Sequence, residues 1–219
     1  LPRVWRDRDE PELRAWLEKA RALGFTGVLI GNLGHLPLVR GMGFRLYGDY
    51  GLNVFNSRSL AYLKDKGLES ACVSFELRFA QIRDLKKVLP TEAIVYGRLP
   101  LMITENCLVQ NETGCRLDRQ GTCVPKDGPC RCGQTNTLVD RTGAAFPLLP
   151  AYGHRTEIQN SKPLYLADRP EHRRLGLAYA RLRFTTETAE ECVSVVQNYL
   201  DAAPAAGDFT RGLYERGVE

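Results

Sequence analysis

Short apolar runs alternate with helix-period segments through the first hundred residues, and this alternation confines the chain to a layered α/β fold with parallel strands. Strands are predicted at residues 3–6, 27–31, 44–48, 71–75 and 93–97. Between the first two, Asp9 and Glu12 form a capping box, Pro11 sits in the first turn, and Leu13, Trp16, Leu17 and Ala20 recur at helical spacing up to a stop at Gly24. A second helix, capped by Asn56 or Ser57, carries Leu60 and Leu63 and stops at Gly67. A third carries Phe79, Ile82, Leu85 and Leu89 and stops at Pro90.

Five consecutive βα units make a partial β/α barrel, because a closed barrel needs about eight strands and about 250 residues. The open edge has to be covered. The expected covers are an N-terminal half of a parent protein or a second copy, giving a homodimer through the open barrel edge. A first residue other than Met suggests an excised domain or processed fragment.

From Cys107 to about Pro150 the pattern changes. Gly, Pro, Asn, Asp and Arg dominate and the hydrophobic period is lost. The chain has seven cysteines, and five of them (Cys107, Cys115, Cys123, Cys130 and Cys132) fall in this stretch. Without a secretory signal, clustered cysteines read as metal ligands before disulfides. Thiolates and an imidazole suit zinc or a four-iron four-sulfur cluster, so Cys107, Cys115, Cys130, Cys132 and His154 are the candidate ligands. At least one of Cys123, Cys130 and Cys132 is spare, and Pro129 and Arg131 around Cys130 favour it over Cys123.

Regular structure resumes with strands near 163–166 and 178–184. Thr188 and Glu191 then box-cap a helix with Ala189, Val193, Val196 and Leu200 on one face. The expected organisation is a partial barrel over 1–104, a cysteine-rich metal-binding region over 105–162, and a small α+β segment over 163–219 that completes the domain.

Active sites of β/α barrels lie at the C-terminal ends of the strands. Polar residues there are Asn32, Asp49, Glu76, Tyr96 and Arg98, with Asn53 and Asn56 extending the rim. Asp49, Glu76, Arg98 and Glu105 are the catalytic candidates, Arg98 as a bidentate anion binder and Glu105 or Glu76 as a general base. Asn32, Asn53, Asn56 and Tyr96 are the substrate-binding candidates. No serine-hydrolase elbow, zinc-protease helix or glycine-rich phosphate loop is present in the sequence.

The stretch Glu92-Ala-Ile-Val-Tyr-Gly-Arg-Leu-Pro-Leu-Met-Ile-Thr-Glu-Asn-Cys107 resembles the signature block of peptidase family U32. Further matching pieces are Gly48-Asp-Tyr-Gly-Leu-Asn-Val-Phe-Asn-Ser57, Asp140-Arg-Thr-Gly-Ala-Ala-Phe-Pro147, His154-Arg-Thr-Glu-Ile-Gln-Asn-Ser161 and Thr210-Arg-Gly-Leu-Tyr-Glu-Arg-Gly-Val218. The resemblance is to members split by an inserted domain, with this chain as the part after the insertion. It implies a β/α barrel and a four-cysteine site, in a family named for peptidase or collagenase activity. Similar proteins are implicated in hydroxylating RNA bases or quinone precursors, and some hold a four-iron four-sulfur cluster. By motif, Cys107 and Cys115 match the first two family cysteines and Cys130 or Cys132 the third. His154 stands where the family has its fourth cysteine, which would change a cluster's charge and potential.

Composition sets the remaining bounds. Apolar residues at 43% and charged residues at 26% exclude disorder and fibrous repeats. A net charge of +4 permits contact with RNA or another polyanion, but no dense basic stripe demands it, and RNA or a peptide is the expected substrate. No apolar run reaches the roughly 20 residues that span a bilayer, so no membrane partner is expected and the cytoplasm is the expected compartment.

Overall fold

The computed structural model describes residues 1–118 and 123–217. Val218, which ends the last of the matching motifs, lies outside the described residues.

In chain order the elements are α1 (Glu10–Ala22), β1 (Gly27–Ile30), α2 (His35–Val39), β2 (Arg45–Gly48), α3 (Ser57–Asp65), β3 (Leu68–Cys72), α4 (Phe79–Asp84) and β4 (Thr91–Gly97). An excursion follows, made of β5 (Pro100–Thr104), α5 (Leu108–Thr113), β6 (Arg116–Leu117), β7 (Cys123–Val124), β8 (Asn136–Val139), β9 (Ala145–Ala151) and β10 (Arg155–Gln159). The chain closes with β11 (Leu164–Tyr165), β12 (Tyr179–Leu182) and α6 (Ala189–Asp201).

Strands β1, β2, β3 and β4 pair in parallel in that order, and β12 adds in parallel to β4. β11 runs antiparallel against the C-terminal end of β4. The expectation of five consecutive units therefore needs correction. Residues 3–6 form no strand and lead into a 3-10 turn at Asp7–Asp9. The fifth parallel strand is β12, from the far end of the chain. Among the described residues, β1 and β12 each pair on one side only.

The helices follow the apolar spacing with local adjustments. Leu13 and Leu17 of α1 are buried, as are Leu60 and Leu63 of α3. Asn56 caps α3 by accepting from the Ser59 amide at 2.9 Å. α4 stops at Asp84, short of Leu89, because Leu85 turns to an extended conformation (ψ 131°). α2 is a short helix with Pro37 at its centre and His35, Leu38 and Val39 buried.

α6 departs most from its pattern. Its capping box forms as expected, yet Val193 and Leu200 are 71% and 70% exposed. The buried side is instead Val195 with Tyr199, packed near Tyr96 and Tyr165. Tyr199 sets this rotation, because its hydroxyl donates to Val95 O (2.5 Å) and accepts from the Leu166 amide (2.8 Å).

The main core lies between the parallel sheet and its helices, around Ile30, Leu60, Ile82, Ile94 and Leu164. Tyr214, fully buried, ties the C-terminal segment to it through Ile94 O at 2.5 Å. Arg181 of β12 reaches Asp49 beyond β2 at 2.5 Å and also pairs with Glu92 of β4. β3 and β4 lie between β12 and β2, so one side chain spans them only because the sheet is strongly curled. No helix among the described residues is long and apolar enough to cross a membrane.

Candidate metal site and the adjoining cavity

The excursion folds as an antiparallel sheet in the order β5–β10–β9–β8, with the small β6–β7 hairpin beside it. α5 and the hairpin carry the cysteines. Cys107 caps α5, its sulfur accepting from the Gln110 amide at 3.4 Å. Gly114, at φ +69°, ends the helix and turns the chain to Cys115, whose Sγ lies 3.0 Å from Thr113 Oγ1. Pairing of Leu117 with Cys123 brings the hairpin back over this turn.

The thiols then form one array. Cys107 and Cys132 sulfurs are 3.5 Å apart, those of Cys123 and Cys130 are 3.6 Å apart, and Cys115 lies within hydrogen-bonding reach of Cys123. The sulfurs of Cys123, Cys130 and Cys132 all lie within 4.8 Å of one another, close enough to hold one metal ion. The sequence favours Cys130 over Cys123, whereas the structure groups both with Cys132. A one-dimensional spacing rule could not see this, because the hairpin supplies Cys123 from the opposite strand.

Proximity makes ionising all of these thiols costly. Burial, then the neighbouring Cys130 and Cys107, pushes the Cys132 thiol well up. Partial burial, then the hydrogen bond with Cys130, pushes Cys123 up to about 11. Cys130 is shifted down by hydrogen bonds from the Cys132 backbone and thiol. A soft cation would relieve this mutual repulsion, which is the usual reason thiols gather so closely. His154, held at φ +59°, lines a cavity of about 850 Å³ together with Cys107, Cys123 and Cys132, but it is not a member of the close sulfur group.

A second cavity, of about 300 Å³, opens at the strand ends. Arg3, Asp49, Tyr50, Arg155, Glu157 and Arg183 line it. Arg155 and Glu157 alternate along β10, and Arg181 and Arg183 alternate across the end of β12, so each pair faces one side. That alternation is the signal the sequence offered for these residues. Gly97 (φ +116°) allows the Arg183 backbone to cross the end of β4, where any Cβ would collide with Arg183 O. The Arg183 guanidinium donates to Glu157 at 2.8 Å and to Gln159 at 2.6 Å. Arg3 and Arg183 both lie over the Tyr50 ring, at 5.4 and 5.7 Å from its centroid. Burial raises the Tyr50 pKa, so its hydroxyl keeps its proton.

Of the residues singled out from sequence, Asp49 lines this cavity, accepting from the Tyr50 amide and pairing with Arg181. Glu105 bridges Arg6 (2.9 Å) and the buried Arg155 (3.1 Å), which hold its carboxyl below the usual range. Arg98 is engaged by the backbone carbonyls of Asn160 and Ser161. Glu76 lines a different cavity with Arg216. Asn32 closes a turn onto Gly34, Asn53 ends a 3-10 turn in the left-handed conformation, and Asn56 caps α3. Tyr96 packs among aromatic rings and donates to Glu187 at 3.3 Å. The polar rim is therefore dispersed, and the charged side chains of β10 and β12 gather in its place.

The two cavities adjoin. Pro150, Ala151, Tyr152 and Arg155 line both, so one layer of residues separates the thiols from the strand-end cavity. Arg155 is 4% exposed, and Gly153 makes room for it, because a Cβ there would lie 2.7 Å from its Nη1.

A curled parallel sheet with a thiol array beside its strand ends defines an α/β protein with a candidate metal site. A family model described as peptidase family U32 matches residues 3–170, and the chain belongs to that family. No curated protein and no solved structure matches the chain.

Proposed function

We propose that this chain carries the metal-centred part of an enzyme that inserts oxygen into a planar aromatic substrate, an RNA base or an aromatic precursor. One observation carries the reading. The cavity that exposes Cys107, Cys123 and Cys132 shares a wall with the charged cavity at the strand ends. A metal that served only as a staple would need no such neighbour.

The donor set fits the group. Several thiols with one imidazole nearby suit an iron–sulfur cluster or zinc. A bound cluster would supply one-electron transfer at the cavity wall. Hydroxylation replaces C–H by C–OH, with the oxygen atom from dioxygen. An external two-electron reductant and two protons convert the second oxygen to water. The chain's own residues would position the substrate. Arg3 and Arg183 provide positive charge at the strand ends, and Arg155, fixed by Glu105 and the Tyr152 carbonyl, holds the dividing wall.

Peptide hydrolysis at a metal-bound water is the competing reading, and it needs a general base. Glu105 serves this poorly, because Arg155 and Arg6 stabilise its ionised form and weaken it as a base.

The test is to reconstitute the protein anaerobically with iron and sulfide, then supply dioxygen, a reductant and unpaired RNA or a phenolic precursor. Mass spectrometry should find one added oxygen atom per turnover. Cleavage of a peptide substrate that requires zinc, with no oxygen added to any aromatic, would replace this reading with the peptidase.

A further inference from the structure

A third cavity, of about 250 Å³, opens at the C-terminal ends of β3 and β4 and shares no lining residue with the two described above. That end of a parallel sheet is where open α/β folds place their ligands. The loop after β3 supplies Phe75 and Glu76, the turn from β4 to β5 supplies Leu99, and the C-terminal segment supplies Leu213 and Arg216. Backbone hydrogen bonds fix these walls. The Asn160 amide donates to Leu99 O at 2.8 Å, the Tyr165 amide to Thr210 O at 3.0 Å, and the Phe79 amide to Tyr214 O at 2.8 Å.

The charges of the C-terminal segment divide into two kinds. Arg211 pairs with Asp168 at 2.5 Å and Glu215 with Arg169 at 2.9 Å. Arg216 has no ion-pair or hydrogen-bond partner among the described residues, and neither has the half-buried Glu76 carboxylate in the same cavity. Two opposite charges therefore border one apolar wall without neutralising each other. Folding gains nothing from partly desolvating Glu76 beside Phe75 and Leu99 unless a partner arrives. A ligand with an ammonium, a carboxylate and a short apolar frame would satisfy both ends, and a guanidinium can hold a carboxylate through two parallel bonds. An α-amino acid has this form. The cavity is smaller than the about 300–1,000 Å³ of drug-sized sites, which suits one free amino acid rather than a stretch of peptide.

We propose that this cavity binds one free α-amino acid with an apolar side chain, its carboxylate on Arg216, its ammonium on Glu76 and its side chain against Phe75, Leu99 and Leu213. The site goes beyond the reading of the thiol cavity and does not depend on it. Each charged contact reads one end of the ligand. The apolar wall discriminates little among leucine, methionine and phenylalanine, because a methylene more or less changes such binding only modestly.

The test is isothermal titration calorimetry of the full chain with L-leucine, L-methionine and L-phenylalanine. Two fragments of leucine follow: isocaproate, which lacks the ammonium, and isoamylamine, which lacks the carboxylate. An amino acid from the three should bind saturably at a single site. Each fragment should bind roughly ten- to hundred-fold more weakly than leucine, the range expected for one lost charge-assisted hydrogen bond. Glu76→Gln should weaken leucine by a similar factor and leave isocaproate unchanged. Arg216→Gln should weaken leucine and isocaproate and leave isoamylamine unchanged. This crossed pattern separates two placed contacts from a general loss of structure, and thermal melting checks that both variants stay folded. No binding by any of the three amino acids, isocaproate binding as tightly as leucine, or affinities unmoved by Glu76→Gln and Arg216→Gln would overturn the assignment. Tighter binding of leucyl-leucine than of leucine would overturn it in favour of a peptide.

Discussion

The parallel-sheet body and the cysteine-bearing excursion are held together by different physics. In the body, Ile30, Leu60, Ile82, Ile94 and Leu164 are fully buried and pack into one continuous core. In the hairpin, both residues of β6 are exposed, as is Val124 of β7, and the buried groups beside it are Cys115, which leads into β6, and Cys107, which caps α5. A segment with so little apolar area needs another source of order, and its thiols stand where one metal ion could supply it. The contrast teaches that burial positions the site while sulfur assembles it.

Perturbations of the body should act on the whole molecule. Ile82→Ala, at a fully buried position, should cost about 2–5 kcal/mol and lower the unfolding midpoint of body and excursion together. Chemical denaturation followed by far-UV circular dichroism and by a probe in the hairpin checks this. Separate transitions after Ile82→Ala would mean that the excursion folds independently.

A smaller effect is expected from acid. His35 is fully buried against Trp5, and burial is the first cause lowering its pKa to about 4 from 6.5. The fold favours the neutral ring, so the unfolded chain binds the extra proton between those values. Stability contributed by His35 is therefore complete above pH 6.5, falls as pH drops towards 4 by at most about 1.4 kcal/mol per unit, and levels off below. His35→Phe should flatten that portion of the stability–pH curve, measured by urea denaturation across the range. An unchanged slope would show that another group is responsible.

The smallest effect belongs to the periphery of the body. Thr188 accepts from the Glu191 amide and Glu191 from the Thr188 amide, a reciprocal cap at the start of α6. Thr188→Ala should cost about 0.5–2 kcal/mol, seen as earlier hydrogen exchange in the first turn of α6 with the central strands unchanged.

Legibility in the sequence followed the same division. Strands β1, β2 and β4 and helices α1 and α3 were readable, because one-dimensional periods report burial on one face. The first predicted strand does not form: Leu1 donates to Leu29 O at the edge of β1, but residues 3–6 add no ladder and run into the Asp7–Asp9 turn. The strand near 178–184 was readable, but its place as the fifth parallel strand was hidden by distance, because β12 pairs with β4 only after the whole excursion has intervened. On α6 the period gave the wrong face, because Tyr199 buries its ring for two hydrogen bonds that hydrophobicity does not score. At the site, the cysteines were visible as a cluster, whereas Cys123 needed the hairpin to join them. Arg155, Glu157 and Arg183 were readable only as alternation on strands whose neighbours were unknown. The family resemblance agrees with the match over residues 3–170 for the motifs from Gly48 to Ser161, while the piece at Thr210–Val218 lies beyond the matched residues.

The central claim is that the thiol array is a metal site that orders the excursion. The direct measurement is metal and acid-labile sulfide per chain after anaerobic preparation, for the wild type, Cys123→Ser, Cys132→Ser and the remote Cys72→Ala. The account predicts bound iron with sulfide, or zinc without it, in the wild type and Cys72→Ala, and a large loss in both Cys123→Ser and Cys132→Ser. A wild type that binds no metal, or Cys123→Ser and Cys132→Ser proteins that keep the full complement, would contradict it.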